Sequence, residues 1–180
     1  MTGEQRGVGQ ADGLDRIWTP HRMAYIRTAL ESTGCPFCEI PQLPEGEGLV
    51  VARGEHCYVV LNLHPYNPGH LMVLPFRHVA ELEDLTLEES GELMALTQQA
   101  IRVIRSVSQP HAFNVGLNLG KVSGGSLAQH LHQHVVPRWS GDANFITVTG
   151  GTKTLPQLLA DTRDLLAEAN EWEANIDRIA

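Results

Sequence analysis

Three histidines alternate with other residues in the segment from His130 to Val136, whose order is His-Leu-His-Gln-His-Val-Val. Successive side chains of a β-strand point to opposite faces, so His130, His132 and His134 would share one face with neighbours about 6–7 Å apart. The residues between them would face the core, with Gln133 as the polar exception. Histidine has no strand propensity that would produce this alternation. The pattern therefore indicates a functional site, in which the imidazoles either bind a metal ion or supply a nucleophile.

A glycine-rich loop precedes the histidines and runs from Asn118 to Ser126 as Asn-Leu-Gly-Lys-Val-Ser-Gly-Gly-Ser. Glycines let the backbone approach an anion closely and present N–H groups to it. No Asp or Glu lies between Leu117 and Gly141, whereas a hydrolytic metal centre often includes a carboxylate. The loop therefore favours phosphate chemistry by an imidazole nucleophile.

Cys35 and Cys38 are separated by two residues, which is the spacing of a pair of zinc ligands. One such pair is half of a zinc site, so three interpretations stay open: zinc ligands, two free thiols or a redox pair. The chain has only three cysteines, an odd and low count that argues against a disulfide scaffold and favours a reducing cytoplasm. The third, Cys57, is expected to be a small buried residue.

The composition is that of an acidic globular protein. Its 180 residues are 42% hydrophobic and 19% charged, which suits one core-forming domain. A formal net charge of −8 argues against non-specific nucleic-acid binding, which needs a basic surface. No apolar run approaches the roughly 20 residues of a membrane span, and the polar N-terminus lacks a secretory signal pattern. We therefore expect a cytoplasmic protein with no nucleic-acid or membrane partner.

The elements that must position these residues are short strands and two helices. The predicted strands cover residues 49–52, 58–61, 70–74, 112–119 and 131–136, with a further short one at 145–148. A capping-box pattern at 86–89 begins the helix predicted most clearly, which Pro110 ends. A second capping box at 154–157 predicts a closing helix that reaches residue 176, and looser helical spacing covers 14–30. This order predicts an α+β fold: an antiparallel sheet of about five strands, a central helix, and N-terminal and C-terminal helical extensions.

The pattern His-apolar-His-x-His-apolar-apolar resembles the signature of the histidine triad superfamily of nucleotide hydrolases and transferases. The other matching segments are Leu61 to His70, Leu74-Pro75, Asn118 and Gly124 to Ser126. The segment Trp18 to Ile26 and the closing helix resemble the bacterial diadenosine tetraphosphate phosphorylase (ATP adenylyltransferase) branch of that superfamily. Gln133 departs from the pattern, because many members have an apolar residue there. We expect little catalytic effect, since its side chain should point away from the substrate.

The resemblance also implies a domain organisation. Residues 1–11 would be a flexible tail and residues 12–180 a single histidine-triad domain. Its core would cover about 35–144, with a C-terminal helical extension at about 150–180. The family usually forms homodimers by extending the sheet across a two-fold axis, so a homodimer is expected.

The resemblance implies a two-step transfer through a covalent nucleotidyl-histidine. His132 would be the nucleophile, with its other ring nitrogen held by a backbone carbonyl, and His130 and His134 would complete the catalytic set. The implied substrate-binding residues are Asn62, His70, Asn118, Gly125 and Ser126. For His70, a purely structural role at the end of a strand stays open as the alternative. Attack by inorganic phosphate on the intermediate would convert diadenosine tetraphosphate to ADP and ATP. Attack by water would instead make the protein a hydrolase of dinucleoside polyphosphates or nucleoside phosphoramidates.

Finally, the resemblance implies that His78 and His130 complete a structural zinc site with Cys35 and Cys38. In that case His130 is a zinc ligand and not a phosphate contact, and we prefer the ligand role because both cysteines are present. Magnesium could accompany the nucleotide. Two other functions stay open at this point: a nucleotide-binding sensor, and a mononuclear metal hydrolase that uses the three alternating histidines as ligands.

Overall fold

The computed structural model describes residues 34–44, 47–123, 127–142, 149 and 155–172. Several predictions fall outside these ranges: the tail at 1–11, the helix at 14–30, the strand at 145–148, and the loop residues Gly124, Gly125 and Ser126. Within the described residues, no helix is both long and apolar enough to cross a bilayer.

The described residues form one five-stranded sheet in the order β1-β2-β3-β5-β4. The strands are β1 (Val50–Arg53), β2 (Cys57–Leu61), β3 (Leu71–Pro75), β4 (Ala112–Leu117) and β5 (Gln133–Arg138). Every neighbouring pair is antiparallel. A short helix, α1 (Pro36–Glu39), precedes the sheet, and single turns of 3-10 helix cover Ile40–Gln42, Leu82–Asp84 and Lys121–Ser123. The predicted α+β class, with about five antiparallel strands and a central helix, is confirmed.

The central helix, α2 (Leu87–Ser108), begins at the predicted capping box. The Thr86 hydroxyl accepts a hydrogen bond from the Glu89 backbone N–H at 3.2 Å, and the Glu89 carboxylate accepts one from the Thr86 N–H at 2.9 Å. The helix ends at Gln109, whose φ of 46° is left-handed, directly before Pro110. Local sequence signals therefore define both ends of this element.

Helix α2 covers one face of the sheet and forms the main core with it. This core includes Val59, Leu61, Leu71, Val73, Leu93, Ala100, Val103, Ile104, Leu131 and Val135, together with Leu166 and Trp172 from the C-terminal region. A smaller cluster of Phe37, Tyr58, Val60, Met72 and Leu74 lies on the opposite face. The predicted reactive histidines are on this second face, which α2 leaves open.

The closing helix, α3 (Leu159–Ala167), starts later than predicted. Its N-cap is Leu158, which has no side-chain capping bond, so the predicted capping box at 154–157 was wrong about where the helix begins. Tertiary contacts set this start: Leu166 is buried in the main core, and the Arg163 guanidinium donates to the Val50 carbonyl at 2.9 Å. Packing has overridden a weak local signal.

The strand that contains the alternating histidines also begins later than predicted. Strand β5 starts at Gln133, because the Leu131 N–H donates to the Val79 carbonyl at 2.7 Å instead of pairing with β3. Pro137 lies inside β5 rather than ending it. Strand β3 pairs only with residues 133–135, so β5 has a single neighbour at Pro137 and tolerates the missing N–H there.

Candidate active site and metal centre

The two-residue alternation of side chains holds across the whole histidine segment, including the part before β5. Leu131 and Val135 are buried in the core under α2. Gln133 is buried on the same face, and its side-chain amide donates to the Thr97 hydroxyl at 2.6 Å. The prediction that Gln133 points away from the histidine face is confirmed.

His132 has the geometry of a neutral imidazole, and its Nε2 has no hydrogen-bond partner among the described residues. Its Nδ1 donates to the His130 backbone carbonyl at 2.8 Å, so the lone pair of the ring lies on Nε2. A backbone carbonyl was the predicted partner. Burial lowers the pKa of His132, which keeps the ring uncharged at neutral pH. The rings of Phe37 and His134 lie 5.1 and 5.0 Å away and hold it in place.

His134 lies beside His132 and is bonded at both ring nitrogens. Its Nδ1 is 2.9 Å from Nε2 of His70, and its Nε2 is 3.3 Å from Nδ2 of Asn118. Burial, with a smaller contribution from His132, lowers the pKa of His134 to about 4. Asn118, which directly follows β4, therefore lies beside His134.

Asn62 and His70 meet at the far side of His134. The His70 ring is fully buried, and its Nδ1 accepts the Tyr66 backbone N–H at 3.1 Å. Asn62 is half-buried, with its side-chain Nδ2 3.4 Å from the same nitrogen. The structure therefore places His70 behind His134, away from the open face.

A cavity of about 410 Å³ opens next to His134 and Asn118. It extends along β4 and β5 to Asn114 and Arg138, whose guanidinium is bonded to Asp142 at 2.6 and 3.1 Å. Sequence reasoning missed Arg138, although it follows His134 by four residues and the same two-residue alternation places both on one face. The cavity leaves room for a nucleotide-sized ligand against the histidine face.

The four predicted metal ligands form one cluster. Sγ of Cys35 lies 3.3 Å from Nδ1 of His130, and Sγ of Cys38 lies 3.3 Å from Nδ1 of His78. All four ligand atoms are within 4.8 Å of one another. Bonds of about 2.0–2.3 Å in a tetrahedral zinc site separate the ligand atoms by roughly 3.3–3.8 Å. The two cysteines and two histidines could therefore hold a metal ion with little rearrangement.

Local hydrogen bonds orient Cys35, Cys38 and His130 toward one another. Helix α1 starts directly after Cys35, and the Cys38 N–H donates to the Cys35 carbonyl at 3.0 Å, which turns both thiols to one side. Nε2 of His130 donates to the Pro75 carbonyl at 3.0 Å, so its lone pair on Nδ1 faces the thiols. Burial and the neighbouring Cys35 raise the pKa of the Cys38 thiol to about 11, and a bound cation would supply the charge that stabilises the thiolate.

The loop that carries His78 is anchored to α2 through its neighbour Arg77. The Arg77 guanidinium donates to both carboxylate oxygens of Glu89, at 2.8 and 2.7 Å, and to the Asp84 carbonyl at 2.8 Å. This hydrogen bonding lowers the pKa of Glu89 to about 2. Sequence reasoning assigned Glu89 only to the capping box, because nothing local to it announces a partner twelve residues earlier.

Comparison with known proteins agrees with the family resemblance of the histidine segment. The HIT domain model matches residues 44–141. The AP-4-A phosphorylase of Mycobacterium tuberculosis is 66% identical over 175 residues, which are 93% of this chain and 89% of that protein. The asymmetrical bis(5'-nucleosyl)-tetraphosphatase of Schizosaccharomyces pombe is 38% identical over 82 residues, 46% of this chain and 44% of that one.

Among solved structures, a Zn-bound histidine triad family protein from Mycobacterium smegmatis matches with a TM-score of 0.61 and 26% identity. The match covers 78% of this chain and 94% of that chain. The resemblance noted in the histidine segment therefore extends to the fold, and both the family model and the mycobacterial relative span more than half of the sequence. The chain belongs to the HIT domain family.

Proposed function

We propose that the protein is a nucleotidyltransferase that cleaves diadenosine tetraphosphate with inorganic phosphate, giving ADP and ATP. The observation that carries this proposal is the state of His132: a neutral ring whose Nδ1–H is bonded to the His130 carbonyl, leaving Nε2 free to attack. The 66% identity to an AP-4-A phosphorylase over 93% of the chain supports the choice of substrate.

In the first step, Nε2 of His132 attacks the phosphorus of one adenylyl group. A P–N bond forms as the P–O bond to the leaving group breaks, so ATP departs and an adenylyl-histidine remains. The ring keeps its Nδ1 proton and becomes cationic, and the His130 carbonyl, 2.8 Å away, stabilises that charge. This role explains why a backbone acceptor, rather than a second donor, faces Nδ1.

In the second step, an oxygen of inorganic phosphate attacks the same phosphorus. The P–N bond breaks, ADP forms, and His132 returns to its neutral state with the proton still on Nδ1. Donors aimed at the phosphoryl oxygens would stabilise both transition states. We assign this role to Asn118, His134 and the backbone of Gly125 and Ser126, and we assign a ribose hydroxyl to Asn62.

The alternative is hydrolysis, in which water takes the place of phosphate at the second step. The 38% identity to a tetraphosphatase over 82 residues supports this alternative, in which the first step would be the same. The use of the three alternating histidines as metal ligands is disfavoured. Nδ1 of His130 faces Cys35, and Nδ1 of His132 is committed to a backbone carbonyl.

An isotope experiment separates these functions. The protein is incubated with diadenosine tetraphosphate and ¹⁸O-labelled phosphate, with and without magnesium, and the products are weighed by mass spectrometry. We expect equal amounts of ADP and ATP, with the label only in ADP. Formation of AMP and ATP that does not depend on phosphate would replace the transferase with a hydrolase.

Replacement of the nucleophile gives a second test. His132→Ala should abolish turnover and also the adenylylated protein, which is detected in the wild type after quenching in alkaline denaturant because a P–N bond to histidine is labile in acid. His111→Ala is the matched control, because His111 is exposed at the other end of β4. Turnover by His132→Ala would refute the assignment, whereas binding of nucleotide with no adduct in the wild type would favour a sensor.

We further propose that Cys35, Cys38, His78 and His130 bind one structural zinc ion. The mixed thiolate and imidazole set and the spacing of the ligand atoms support zinc over magnesium or calcium, which prefer oxygen. When bound, the ion would tie the segment containing α1 to the strand region beside His132. Elemental analysis of protein purified without chelator should give one zinc per chain, lost in Cys35→Ser and kept in Cys57→Ala.

We also propose a homodimer that pairs through β4. Strand β4 ends the sheet and is largely exposed, whereas the other end, β1, is bordered by α3 and the Arg163–Val50 hydrogen bond. Light scattering during gel filtration should give twice the chain mass of 19.8 kDa, and a monomer mass would reject this pairing. We place the protein in a reducing compartment such as the cytoplasm, because three cysteines are an odd and low count for a disulfide scaffold.

A further inference from the structure

Arg138 is the only charged side chain among the described residues that line the cavity beside His134. The other lining residues are neutral at pH 7, since burial lowers the pKa of His134 to about 4. The whole chain has a formal net charge of −8, so its overall field repels an anionic ligand. A polyphosphate that enters this cavity therefore needs a local cation, and Arg138 supplies one.

The Arg138 guanidinium is held by two side chains. Its Nε and Nη2 donate to the two carboxylate oxygens of Asp142 at 2.6 and 3.1 Å, and its Nη1 donates to the side-chain oxygen of Asn114 at 2.8 Å. A guanidinium has five N–H groups. One N–H on Nη1 and one on Nη2 are thus left without a partner among the described residues. The cation is fixed in place and still has donors to offer.

Asp142 orients the cation without occupying the cavity. Its carboxylate also accepts from the Asn67 side-chain amide at 2.7 Å and from the Trp139 backbone N–H at 3.3 Å. The bonds from Arg138 and Asn67 hold the pKa of Asp142 well below its usual range, so it is ionised. The Asp142 side chain is 11% exposed, against 45% for Arg138, and is not among the described residues that line the cavity.

The strand register places the guanidinium about one two-residue step from His134. Gly116 lies opposite His134, and Asn114 lies opposite Val136. Because Nη1 of Arg138 bonds to Asn114, the Arg138 side chain leans back along β5 toward His134. Two residues of a strand span about 6–7 Å. A short chain of phosphate groups can therefore reach from the histidine to the guanidinium.

Gly116 keeps the floor of the cavity open between these two groups. It lies on the same face of the sheet as its partner His134. A methyl group on its Cα would meet no atom within 4 Å outside its chain neighbours. A larger residue would therefore project into the cavity without opposition from the fold.

We propose that Arg138 binds the phosphate groups of the leaving nucleotide, beyond the phosphorus that His132 attacks, and that Asp142 positions its guanidinium for this contact. The assignment rests on the proposed function and adds to it a subsite for a polyphosphate chain. Bonds from a fixed guanidinium to phosphate are strong and directional. The contact therefore favours substrates whose leaving group is a polyphosphate over ligands with a single phosphate.

Binding measured without turnover tests this contact. Every protein carries His132→Ala, and titration calorimetry at fixed ionic strength compares diadenosine tetraphosphate with AMP, which has only the phosphate next to position 132. Arg138→Gln should weaken binding of the tetraphosphate about 10–100-fold and leave AMP binding unchanged. The matched control is Arg102→Gln, which removes the same charge from an exposed position on α2 and should affect neither ligand.

Asp142→Asn separates positioning from charge. Loss of this carboxylate makes the region more positive, so a purely electrostatic role predicts tighter binding of the tetraphosphate. Positioning predicts weaker binding, because the guanidinium loses its bidentate partner, and we expect the weaker binding. Arg138→Lys keeps the charge without the planar fork, so its affinity should lie between those of Arg138 and Arg138→Gln.

Gly116→Val supplies a test that does not depend on the folding of the Arg138 variants, because valine suits a strand and no atom opposes it. It should weaken binding of the tetraphosphate more than that of AMP. Equal losses for both ligands in Gly116→Val, or in a folded Arg138→Gln, would overturn the proposal. Tighter tetraphosphate binding in Asp142→Asn would overturn the positioning role.

Inorganic tripolyphosphate separates this proposal from the proposed function, because it contains no nucleoside. Its affinity should fall in Arg138→Gln and stay unchanged in Arg102→Gln. Equal tripolyphosphate affinity in Arg138→Gln and its parent would overturn the subsite. A protein that binds tripolyphosphate through Arg138 but cleaves no dinucleoside polyphosphate would instead refute the proposed function and leave the subsite standing.

Discussion

The buried contact between Gln133 and Thr97 should give a strongly asymmetric double-mutant cycle. The Gln133 amide donates to the Thr97 hydroxyl at 2.6 Å, and that hydroxyl donates to the Leu93 carbonyl at 2.7 Å. Thr97→Val leaves a buried amide without its acceptor, which costs about 1–3 kcal/mol. Gln133→Leu removes the amide and leaves the hydroxyl bonded to Leu93, so it should cost about 1 kcal/mol.

The double variant Gln133→Leu/Thr97→Val removes both polar partners from an apolar site. We expect it to be no less stable than Thr97→Val alone, with a coupling of about 1–2 kcal/mol between the two positions. Urea unfolding with unchanged m-values measures these free energies. Activity should survive in all three variants, because both side chains lie on the core face of the sheet. Additive effects, or loss of kcat in Gln133→Leu at full stability, would refute the placement of Gln133.

Three other predictions concern the Arg77–Glu89 ion pair, the Phe37 ring and the metal cluster. Glu89→Gln should lower the free energy of unfolding at neutral pH by about 1–2 kcal/mol. This loss is smaller than the full value of a pKa shift of Glu89 from 4.5 to about 2, because water screens the half-exposed Arg77 partner. The pKa of Glu89 is depressed in the folded state, so this stability is present above pH 4.5 and is lost as the pH falls from 4.5 toward 2; unfolding measured across that range should show the difference from wild type shrinking. Phe37→Ala should destabilise the protein by about 3 kcal/mol and also lower kcat, because the ring packs between His130 and His132. The control Phe37→Leu should retain most of the stability and most of kcat. Equal kcat in Phe37→Ala and wild type, at a temperature where both are folded, would contradict this prediction. Removal of zinc by a chelator should lower the melting temperature of the wild type and leave that of Cys35→Ser unchanged, and a chelator effect of equal size on both would count against the site.

The parts of the fold that the sequence predicts are those defined by neighbouring residues. Helix α2 has a reciprocal capping box at its start and Gln109-Pro110 at its end, and the structure follows both signals. The segment at 154–157, Thr-Leu-Pro-Gln, also has the capping-box pattern, yet the helix begins only at Leu159. Leu166 of α3 packs in the core and Arg163 bonds to β1, and these distant contacts set where that helix begins.

The candidate site shows the same division. The metal cluster could be expected because Cys35 and Cys38 have the two-residue separation of zinc ligands and the family resemblance supplied His78 and His130. The position of His70 behind His134 could not, because it depends on the turn at Tyr66 that brings a backbone N–H to the ring. No sequence pattern states which atom a backbone group will face.

Backbone and neighbouring groups also explain how three like side chains come to differ. His130 donates from Nε2 to the Pro75 carbonyl, so its lone pair on Nδ1 faces the thiols. His132 donates from Nδ1 to the His130 carbonyl, so its lone pair on Nε2 is free for phosphorus. His134 has His70 Nε2 2.9 Å from its Nδ1 and the Asn118 amide nitrogen 3.3 Å from its Nε2, so each of its ring nitrogens faces a side chain instead of a backbone carbonyl. The proposed ligand and the proposed nucleophile therefore differ in which ring nitrogen donates to a backbone carbonyl, because a neutral imidazole that donates from one nitrogen carries its lone pair on the other.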